Sequence, residues 1–542
     1  MNNSIYQFQK PENEPVLNYR PGSPERIALK AELKRQSETT IQIPLIIGGT
    51  EVNTGKTGTI RMPHDHQHIL ATYHKAGILE TQAAVEAAVD AQAEWSSLPW
   101  QERATVMLRA AELIAGKYRN QLNAATMLGQ SKNVYQAEID SACELIDFLR
   151  FNVYFASQIY AVQPESDNQA INRIEYRPLE GFVYCVSPFN FTAIAGNLNV
   201  SPVLMGNVTV WKPASTAVLS NYYLMKIFQE AGVPDGVINF IPGEGETISE
   251  IILNEPRLAG IHFTGSTMTF NRMNYTVGSN TGHYRGYPVI VGETGGKDFI
   301  FAHPTADVDS LVTAIVRGAF EYQGQKCSAA SRAYIPKSLW GQVCAKLKQQ
   351  IGELKMGDPA DFSNFVNAVI DEKSFDSIAA YIRLAQKSQD AEVIIGGKCN
   401  KEKGYFVEPT VILTTDPCFE TMTEEIFGPV LTIFVYEDEK YDEALEYCDT
   451  GSIYALTGAV FAQCRYAIEK LKKKLRYSAG NFYINDKPTG AVVGKQPFGG
   501  ARSSGTNDKA GSYLNLLRWV SPRTIKETLT PPVDYRYPFL EE

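Results

Sequence analysis

Helical periodicity is the strongest pattern in the first third of the chain. From residue 80 onward, alanines and Trp95 recur at spacings of three or four residues, which is typical of a helix with one apolar face. A second helix is predicted to begin at Pro99, because proline is favoured in the first turn of a helix. A third is predicted over residues 134–157, so the three helices together indicate an α-rich cover.

Short apolar runs replace this periodicity after residue 180. They occupy residues 181–186, 207–211, 237–241 and 260–263. Helical patterns such as 218–231 and 247–253 lie between these runs. Strands that alternate with helices predict a parallel, doubly wound sheet. A second α/β series is predicted from about residue 297 to residue 484.

Three segments follow neither pattern. Residues 8–50 are polar and interrupted by prolines, which predicts an arm on the surface with one helix over 26–36. Residues 160–180 contain a proline and an Asp/Asn cluster, followed by an alternating run over 171–177, which predicts a polar hairpin suited to subunit contact. The aromatic and proline-rich tail from Gly511 is also expected to reach a partner subunit.

Length and charge narrow the class of protein. At 542 residues the chain exceeds what one hydrophobic core supports, so two or three domains are expected. Hydrophobic residues make up 44% and charged residues 20%, which is ordinary for a globular protein. The net charge of -9 argues against a nucleic-acid partner. No apolar run approaches the length of a membrane span, so no membrane partner is expected.

Eight cysteines are scattered along the chain without CxxC pairs or regular spacing. This pattern fits neither a disulfide framework nor a zinc site, and no metal is expected. The N-terminal residues show neither a secretory apolar core nor an Arg-rich transit pattern. A reducing, cytoplasmic location is the simplest expectation.

One of these cysteines stands in a setting that suits a nucleophile. Cys327 follows a predicted helix over 308–322 and a turn supplied by Gly324, and it precedes a short strand over 333–335. A thiol attacks as its thiolate, which needs access and local polarisation. By itself, a cysteine in this position is more often a small buried apolar residue.

Residues 263–266 (Phe-Thr-Gly-Ser) are the better candidate for a dinucleotide site. They stand at a strand end and a helix start, where backbone N–H groups can meet a pyrophosphate. The alternative at 243–245 lacks the third glycine of the usual fingerprint. Without other motifs, an ordinary strand–helix turn is the simpler interpretation of 263–266.

Six stretches resemble, in order, the motifs of the aldehyde dehydrogenase superfamily. They are residues 188–191, 211–215, 263–266, 292–297, 324–332 and 424–429. The resemblance implies an α/β fold of the aldehyde dehydrogenase type, with a Rossmann-like NAD-binding domain, an α/β catalytic domain and a small β oligomerisation flap. It assigns 1–159 and 180–296 to the N-terminal arm and the NAD-binding domain. The catalytic domain is expected over 297–509, and the oligomerisation segments over 160–179 and 510–542.

The resemblance also assigns three catalytic roles: Cys327 is the nucleophile, Glu293 the general base and Asn190 a donor in the oxyanion hole. A thiolate that adds to an aldehyde forms an oxyanion, which needs preorganised donors. The thioester that follows needs a water activated by a carboxylate. These three residue types match those two needs.

NAD is the cofactor that the resemblance implies. The implied cofactor-binding residues are Lys212, Ser215, Gly265, Ser266, Glu425 and Phe427. Many NAD-specific members carry Glu where this chain has Ser215. A carboxylate there repels a 2′-phosphate whereas a hydroxyl does not, so NAD is expected with NADP tolerated.

Residues 13–26, 144–148 and 496–509 are similar to the pyrroline-5-carboxylate dehydrogenase branch of the superfamily. That branch implies oxidation of L-glutamate γ-semialdehyde to L-glutamate, the second step of proline breakdown. The implied substrate-binding residues are Glu144, Ser328, Gly490, Ala491 and Phe498. The branch usually has Ser at the position of Ala491. It also implies a homodimer or higher oligomer and a transient contact with proline dehydrogenase.

Two other functions stay open at this point. Another semialdehyde dehydrogenase, such as one for succinate semialdehyde, needs no anchor for an amino-acid end. The second alternative is a binding protein with a dehydrogenase fold that has lost its activity. The presence of Cys327, Glu293 and Asn190 argues against it. Glu144 also has a simpler interpretation as part of a solvated helix face with Asp147, three residues later.

Overall fold

A computed structural model describes residues 6–540 of the chain. The arm carries helix α1 (Pro24–Ser37), which Ser23 caps by accepting a hydrogen bond from the Arg26 N–H. Five strands follow: β1 (Ile41–Ile43), β2 (Leu45–Ile47), β3 (Thr50–Val52), β4 (Thr57–Met62) and β5 (Asp65–His74). Strands β1, β5 and β4 form a small sheet.

The predicted helical cover is present, with one irregularity. Its helices are α2 (Ile78–Ser97), α3 (Trp100–Ala115), α4 (Arg119–Gln130), α5 (Val134–Ala137) and α6 (Leu145–Ala161). The single helix predicted over 134–157 is interrupted by a π-helical segment, Glu138–Glu144. Such segments add a residue to the turn and are frequent at functional sites.

The first large sheet has the predicted parallel core. After β6 (Ala170–Arg177), its region contains β7 (Phe182–Val186), α7 (Thr192–Leu204), β8 (Val208–Lys212), α8 (Val218–Ala231), β9 (Ile238–Phe240), α9 (Gly245–Ile252), β10 (Leu258–Thr264), α10 (Thr267–Ser279) and β11 (Val289–Glu293). The strand order is β11-β10-β7-β8-β9-β2-β3. The first five strands pair in parallel.

The second α/β series forms another seven-stranded sheet, in the order β14-β17-β18-β13-β12-β20-β21. Its elements begin with β12 (Asp298–Ala302), α11 (Val308–Phe320), β13 (Ala330–Pro336), α12 (Lys337–Gly352), α13 (Glu372–Lys387), β14 (Ala391–Ile395), β15 (Cys399–Asn400), β16 (Phe406–Val407) and β17 (Thr410–Thr414). They continue with α14 (Glu420–Thr423), β18 (Val430–Tyr436), α15 (Tyr441–Thr450), β19 (Tyr454–Ala455), β20 (Thr457–Phe461), α16 (Arg465–Lys474) and β21 (Asn481–Ile484).

Helices cover both faces of this second sheet. Ile300 on β12 packs in a core with α11 and α12 residues. Its neighbours in sequence, Phe299 and Phe301, point to the opposite face and pack with α15 and α16 residues. Successive residues of a strand face opposite sides of the sheet, so β12 contributes to two cores.

The chain ends in β22 (Ala501–Arg502), α17 (Tyr513–Leu516) and β23 (Ser521–Thr528). Strand β23 pairs antiparallel with β6 along its whole length. The local hairpin predicted for residues 160–180 is therefore wrong: the alternation there marks one strand, but its partner comes from the other end of the chain.

The surface arm predicted over residues 8–50 is also wrong at its C-terminal end. Strand β2 lies inside the first sheet, with Leu45 and Ile46 fully buried, and it pairs antiparallel with β3 and β9. The apolar run 41–47 is short and follows a polar segment, so the sequence pattern did not predict strands there. Within residues 6–540, no helix combines the length and the apolar character needed to cross a bilayer.

Candidate active site

Cys327 is placed by an unusual turn after α11. Tyr322, Gln323 and Gly324 are consecutive residues with positive φ, at 52°, 53° and 64°. A Cβ at Gly324 would lie 2.1 Å from the Gly428 carbonyl oxygen, so a side chain has no space there. The turn redirects the chain from helix to strand and leaves the partly buried Cys327 between them.

A cavity of about 1080 Å³ leads to this cysteine. It lies at the carboxyl ends of β7, β8 and β10, the edge where doubly wound sheets bind ligands. Predicted site residues that line it are Asn190, Lys212, Gly265, Ser266, Cys327, Glu425 and Phe427. These residues come from five of the six motifs, and Thr294 and Gly295 of the sixth motif, 292–297, also line the cavity.

Helix α10 points its N-terminus at this cavity. Ser266 caps the helix, and its hydroxyl accepts a hydrogen bond from the Thr269 N–H at 3.3 Å. Gly265 precedes it on the cavity wall. Free N–H groups and the helix dipole at such a terminus favour an anion, and a pyrophosphate has that chemistry.

Lys212 and Ser215 differ in their placement. Lys212 ends β8 on the cavity wall, and burial lowers the pKa of its ammonium group. Ser215 is exposed at the start of a 3₁₀ turn and lies outside the cavity wall, where Ala214 takes part instead. The motif in the sequence did not show that Ala214, and not Ser215, faces the cavity.

Glu425 and Phe427 form the opposite wall. The Glu425 carboxylate accepts a hydrogen bond from the Gly296 N–H at 2.8 Å, and burial raises its pKa to about 7. Phe427 has a positive φ of 57°, and its ring meets the Phe189 ring edge-on with centroids 5.8 Å apart. Both rings and Cys327 line the same cavity.

Asn190 is buried and lies next to the segment that contains Cys327. Its side-chain amide donates a hydrogen bond to the Gln325 carbonyl at 3.1 Å. An amide nitrogen carries two hydrogens, so the second remains available for a bound group. Since Gln325 is two residues before Cys327, this bond holds the amide beside the thiol.

Glu293 ends β11, and its carboxylate is held by backbone. It accepts a hydrogen bond from the Gly500 N–H at 2.9 Å, and burial raises its pKa well above the ordinary carboxyl range. Burial also raises the pKa of the Cys327 thiol, and the carboxylates of Asp298, Glu293 and Glu425 raise it further. Both effects favour the thiol over the thiolate.

A loop over residues 490–498 begins next to the residue that follows Cys327. The hydroxyls of Ser328 and Thr489 share a hydrogen bond at 2.8 Å, which ties the residue after Cys327 to the start of this loop. Gly490 is exposed with φ at 96°, and Ala491 is partly buried. Phe498 closes the loop through paired backbone hydrogen bonds with Ala510, at 3.0 and 2.8 Å.

Known proteins resemble this chain along almost its full length. The family model described as the aldehyde dehydrogenase family matches residues 51–525. The chain belongs to the aldehyde dehydrogenase family. The fold predicted from the sequence motifs is thereby confirmed.

Three comparisons refine this placement. A protein of Dictyostelium discoideum, named mitochondrial delta-1-pyrroline-5-carboxylate dehydrogenase, is 55% identical over 98% of this chain and 96% of its own. A crystal structure of the Mycobacterium tuberculosis delta-pyrroline-5-carboxylate dehydrogenase bound with NAD has a TM-score of 0.96 at 52% identity, and all of both chains is covered. Proline utilization A from Bdellovibrio bacteriovorus is 27% identical, with 97% of this chain and 54% of that chain covered.

Glu144 is the last residue of the π-helical segment in this aldehyde dehydrogenase. Three neighbouring acids on the same stretch, Glu138, Asp140 and Asp147, each accept hydrogen bonds from protein donors. Glu144 accepts none from the described residues, and burial raises its pKa to about 8. A partly buried carboxyl without protein donors is free to accept from a ligand.

The buried ion pair of Lys132 and Asp140 was not predicted from the sequence. Lys132 donates to Asp140 at 2.6 Å, with both side chains fully buried. Asp140 also accepts from the backbone N–H groups of Thr192 and Ala193, and so holds the start of α7 just after Asn190. No sequence signal marks this ion pair, because its contacts with α7 join residues about fifty positions apart.

Proposed function

We propose that the protein catalyses the NAD-dependent oxidation of L-glutamate γ-semialdehyde to L-glutamate, the second step of proline catabolism. The semialdehyde forms when the ring of pyrroline-5-carboxylate opens. The observation that carries this proposal is the meeting of two features at one segment: Cys327 lines the cavity, and Ser328 is bonded to the start of the loop 490–498. Full-length similarity to proteins named for this activity supports it.

The cavity fits NAD by its own chemistry. The N-terminus of α10 at Gly265 and Ser266 suits the pyrophosphate, while Lys212 and Glu425 offer a cation and a carboxylate to ribose hydroxyls. Phe427 lies where a nicotinamide ring can rest near Cys327. Bound NAD supplies the acceptor for a hydride. Tolerance of NADP stays a prediction, because Ser215, on which it depends, lies outside the cavity wall.

Cys327 begins the chemistry by losing its thiol proton to water in the cavity, and the sulfur then adds to the aldehyde carbon. The oxyanion that forms accepts hydrogen bonds from the free N–H of the Asn190 amide and from the Cys327 backbone N–H. After oxidation the acyl group is a thioester on sulfur. Glu293 then takes a proton from water, hydroxide adds to the thioester, and L-glutamate leaves as the thiolate re-forms.

The substrate is held at its amino-acid end by the loop 490–498. Backbone N–H groups at Gly490 and Ala491 can hold the α-carboxylate, and Phe498 borders the chain of the substrate. The Glu144 carboxyl has no hydrogen-bond donor among the described residues, so it can accept one from the α-ammonium group. Ser328 joins this pocket to the nucleophile.

The division into domains follows the two sheets. We assign the arm and NAD-binding domain to 1–159 and 180–296, and the catalytic domain to 297–509. The first sheet ends at Glu293 and the second begins at Asp298, which supports a boundary between them. The oligomerisation segments, 160–179 and 510–542, contain the paired strands β6 and β23.

These two strands are the proposed contact of a homodimer or higher oligomer. Their side chains are largely exposed along the ribbon, and an exposed two-stranded ribbon is marginal by itself. A transient contact with proline dehydrogenase is also proposed. The cytoplasmic location is a prediction that cell fractionation tests, since the Dictyostelium relative is named as mitochondrial.

The direct test is a panel of initial rates of NADH formation. Glutamate γ-semialdehyde, succinate semialdehyde and propanal are compared with NAD, and the first substrate also with NADP. We expect kcat/KM for glutamate γ-semialdehyde to exceed the other values by about a hundredfold or more, because anchor groups left unpaired by the other substrates are costly. Equal or higher values for succinate semialdehyde overturn the proposal in favour of that activity.

A further inference from the structure

The N-terminal arm lies on the helical stretch that carries Glu144. The Glu14 N–H donates to Asp147 at 2.7 Å, and the Leu17 N–H donates to Glu138 at 2.9 Å. The Glu14 carboxylate accepts from Arg119 and Arg150, each at 2.7 Å. The arm is thus fixed to α6 and to the π-helical segment by charged, partly buried contacts.

Asn13 extends this contact to the substrate loop. Its side-chain nitrogen donates one hydrogen bond to the Asp147 carboxylate at 2.8 Å and another to the Val493 carbonyl at 2.8 Å. Both hydrogens of the amide are used. One side chain of the arm therefore joins helix α6 to the middle of the loop 490–498.

The end of the loop is attached at Pro497, which accepts from Asn481, and at Phe498, but residues 490–496 have few other polar contacts. In the described structure, the backbone N–H groups of Lys495 and Gln496 donate to Val492, and the Val492 N–H donates to the Gln496 side chain. These bonds stay within residues 490–496. The Asn13 bond is the one hydrogen bond, among described residues, that connects those residues to another part of the chain.

Apolar contacts also place the loop against the same helix. Val493 packs in a small cluster with Phe148 and Phe151 of α6. Gly494 lies against the Phe151 ring, where a Cβ would come within 2.2 Å. Apolar packing is non-directional, whereas the two hydrogen bonds of Asn13 fix a distance between the Asp147 carboxylate and the Val493 carbonyl.

We propose that Asn13 is a positioning residue for substrate specificity. It holds the loop 490–498 at a set distance from α6, so that Gly490 and Ala491 face the amino-acid end of the substrate. This inference rests on the proposed function, in which that loop receives the α-carboxylate. The arm is then part of the substrate site although none of it touches the substrate.

The chemistry of Asn13 predicts an order among its variants. Asn13→Ala removes both donors and leaves the Asp147 carboxylate and the Val493 carbonyl without this partner. Asn13→Asp has nearly the same shape, but it places a second carboxylate against Asp147 and an acceptor against a carbonyl, so like charges repel. Glu12→Ala is the matched control, because Glu12 is an exposed neighbour on the same arm.

The test compares KM and kcat for glutamate γ-semialdehyde and propanal at saturating NAD. For Asn13→Ala we expect KM for the semialdehyde to rise about tenfold, as for the loss of a hydrogen bond to a charged group. The kinetic constants for propanal, which has no amino-acid end, stay within about twofold. Asn13→Asp gives a larger rise, and Glu12→Ala leaves both substrates unchanged.

Three results overturn the inference. An unchanged KM for the semialdehyde shows that the bond does not position the loop, and an equal rise for propanal shows a general structural role. If Asn13→Ala does not fold, Asn13→Ser gives the same comparison with a side chain too short to bridge both acceptors. If the wild type does not prefer the semialdehyde to propanal, the proposed function fails, and this inference fails with it.

Discussion

Gly500 donates its backbone N–H to the Glu293 carboxylate at 2.9 Å. Glycines surround that carboxylate: a Cβ at Gly499 would lie 3.2 Å from one oxygen, and a Cβ at Gly505 would lie 3.1 Å from the other. The proposed general base is therefore enclosed by backbone, in a space that larger residues would fill. Burial there raises its pKa, which suits a group that must take up a proton near neutral pH.

Replacement of this base should separate the two halves of the reaction. In Glu293→Gln, NADH formation proceeds through the first turnover, because the thiol and the oxyanion donors are unchanged. Thioester hydrolysis slows by about a hundredfold or more, as for the loss of a general base. Rapid-mixing absorbance should then show a burst of NADH followed by a slow steady state. A first turnover slowed equally would assign Glu293 to an earlier step.

Ala491 offers a gain-of-affinity test. It follows Gly490, whose positive φ of 96° lets the backbone approach a bound carboxylate. Ala491→Ser adds a hydroxyl donor at that point. KM for glutamate γ-semialdehyde should fall by roughly tenfold or less with kcat nearly constant, as for a contact made equally in the ground and transition states.

Steady-state kinetics on glutamate γ-semialdehyde, succinate semialdehyde and propanal check this prediction. Propanal serves as the control, since it has no carboxylate to receive the new hydroxyl. An unchanged KM for the semialdehyde contradicts the role of this loop as the anchor. A gain confined to aldehydes without a carboxylate contradicts the substrate assignment itself.

Glu144 should make stability depend on pH. Its pKa is raised from 4.5 to about 8 by burial, so between these values the unfolded chain has lost the proton that the folded protein keeps. The folded state binds more protons there, and stability therefore falls as pH rises through this window. Glu144→Gln carries no such proton and should lose less stability as the pH rises.

Thermal unfolding of both proteins at pH 5 and pH 8 measures this difference. The melting temperature of Glu144→Gln relative to the wild type should increase from pH 5 to pH 8. The corresponding difference in the free energy of unfolding should change by at most about 1.4 kcal/mol for each pH unit. Parallel changes in the two proteins would show that Glu144 ionises at its ordinary pKa. In that case it faces solvent, as the simpler interpretation of its helix predicts.

Local sequence patterns predicted the elements that lie within one continuous stretch. Helix α8 occupies the predicted residues 218–231, and β7, β8 and β10 fall on the predicted apolar runs. The motifs also located Asn190 and Glu425 on one cavity. Periodicity and turn chemistry are local properties, so they can be recognised in the sequence without knowledge of the fold.

Contacts between distant segments could not be predicted in this way. Strand β6 pairs with β23, and β2 pairs with β9. The residue pattern of a strand does not indicate which distant strand it pairs with. The same reason hides the bridge from Asn13 to Val493, which are 480 residues apart. Ser215 shows a finer limit, because a motif gives the order of residues but not which of them faces the cavity.

The covalent intermediate on Cys327 is the most direct test of the account. Glu293→Ala enzyme is mixed with NAD and glutamate γ-semialdehyde, quenched in acid during the first turnover, and its intact mass and peptides are measured. The account predicts one added glutamyl group for each NADH formed, located on the peptide that contains Cys327 and absent from the Glu293→Ala, Cys327→Ala double variant. Formation of one NADH per site with an unmodified Cys327 would contradict it.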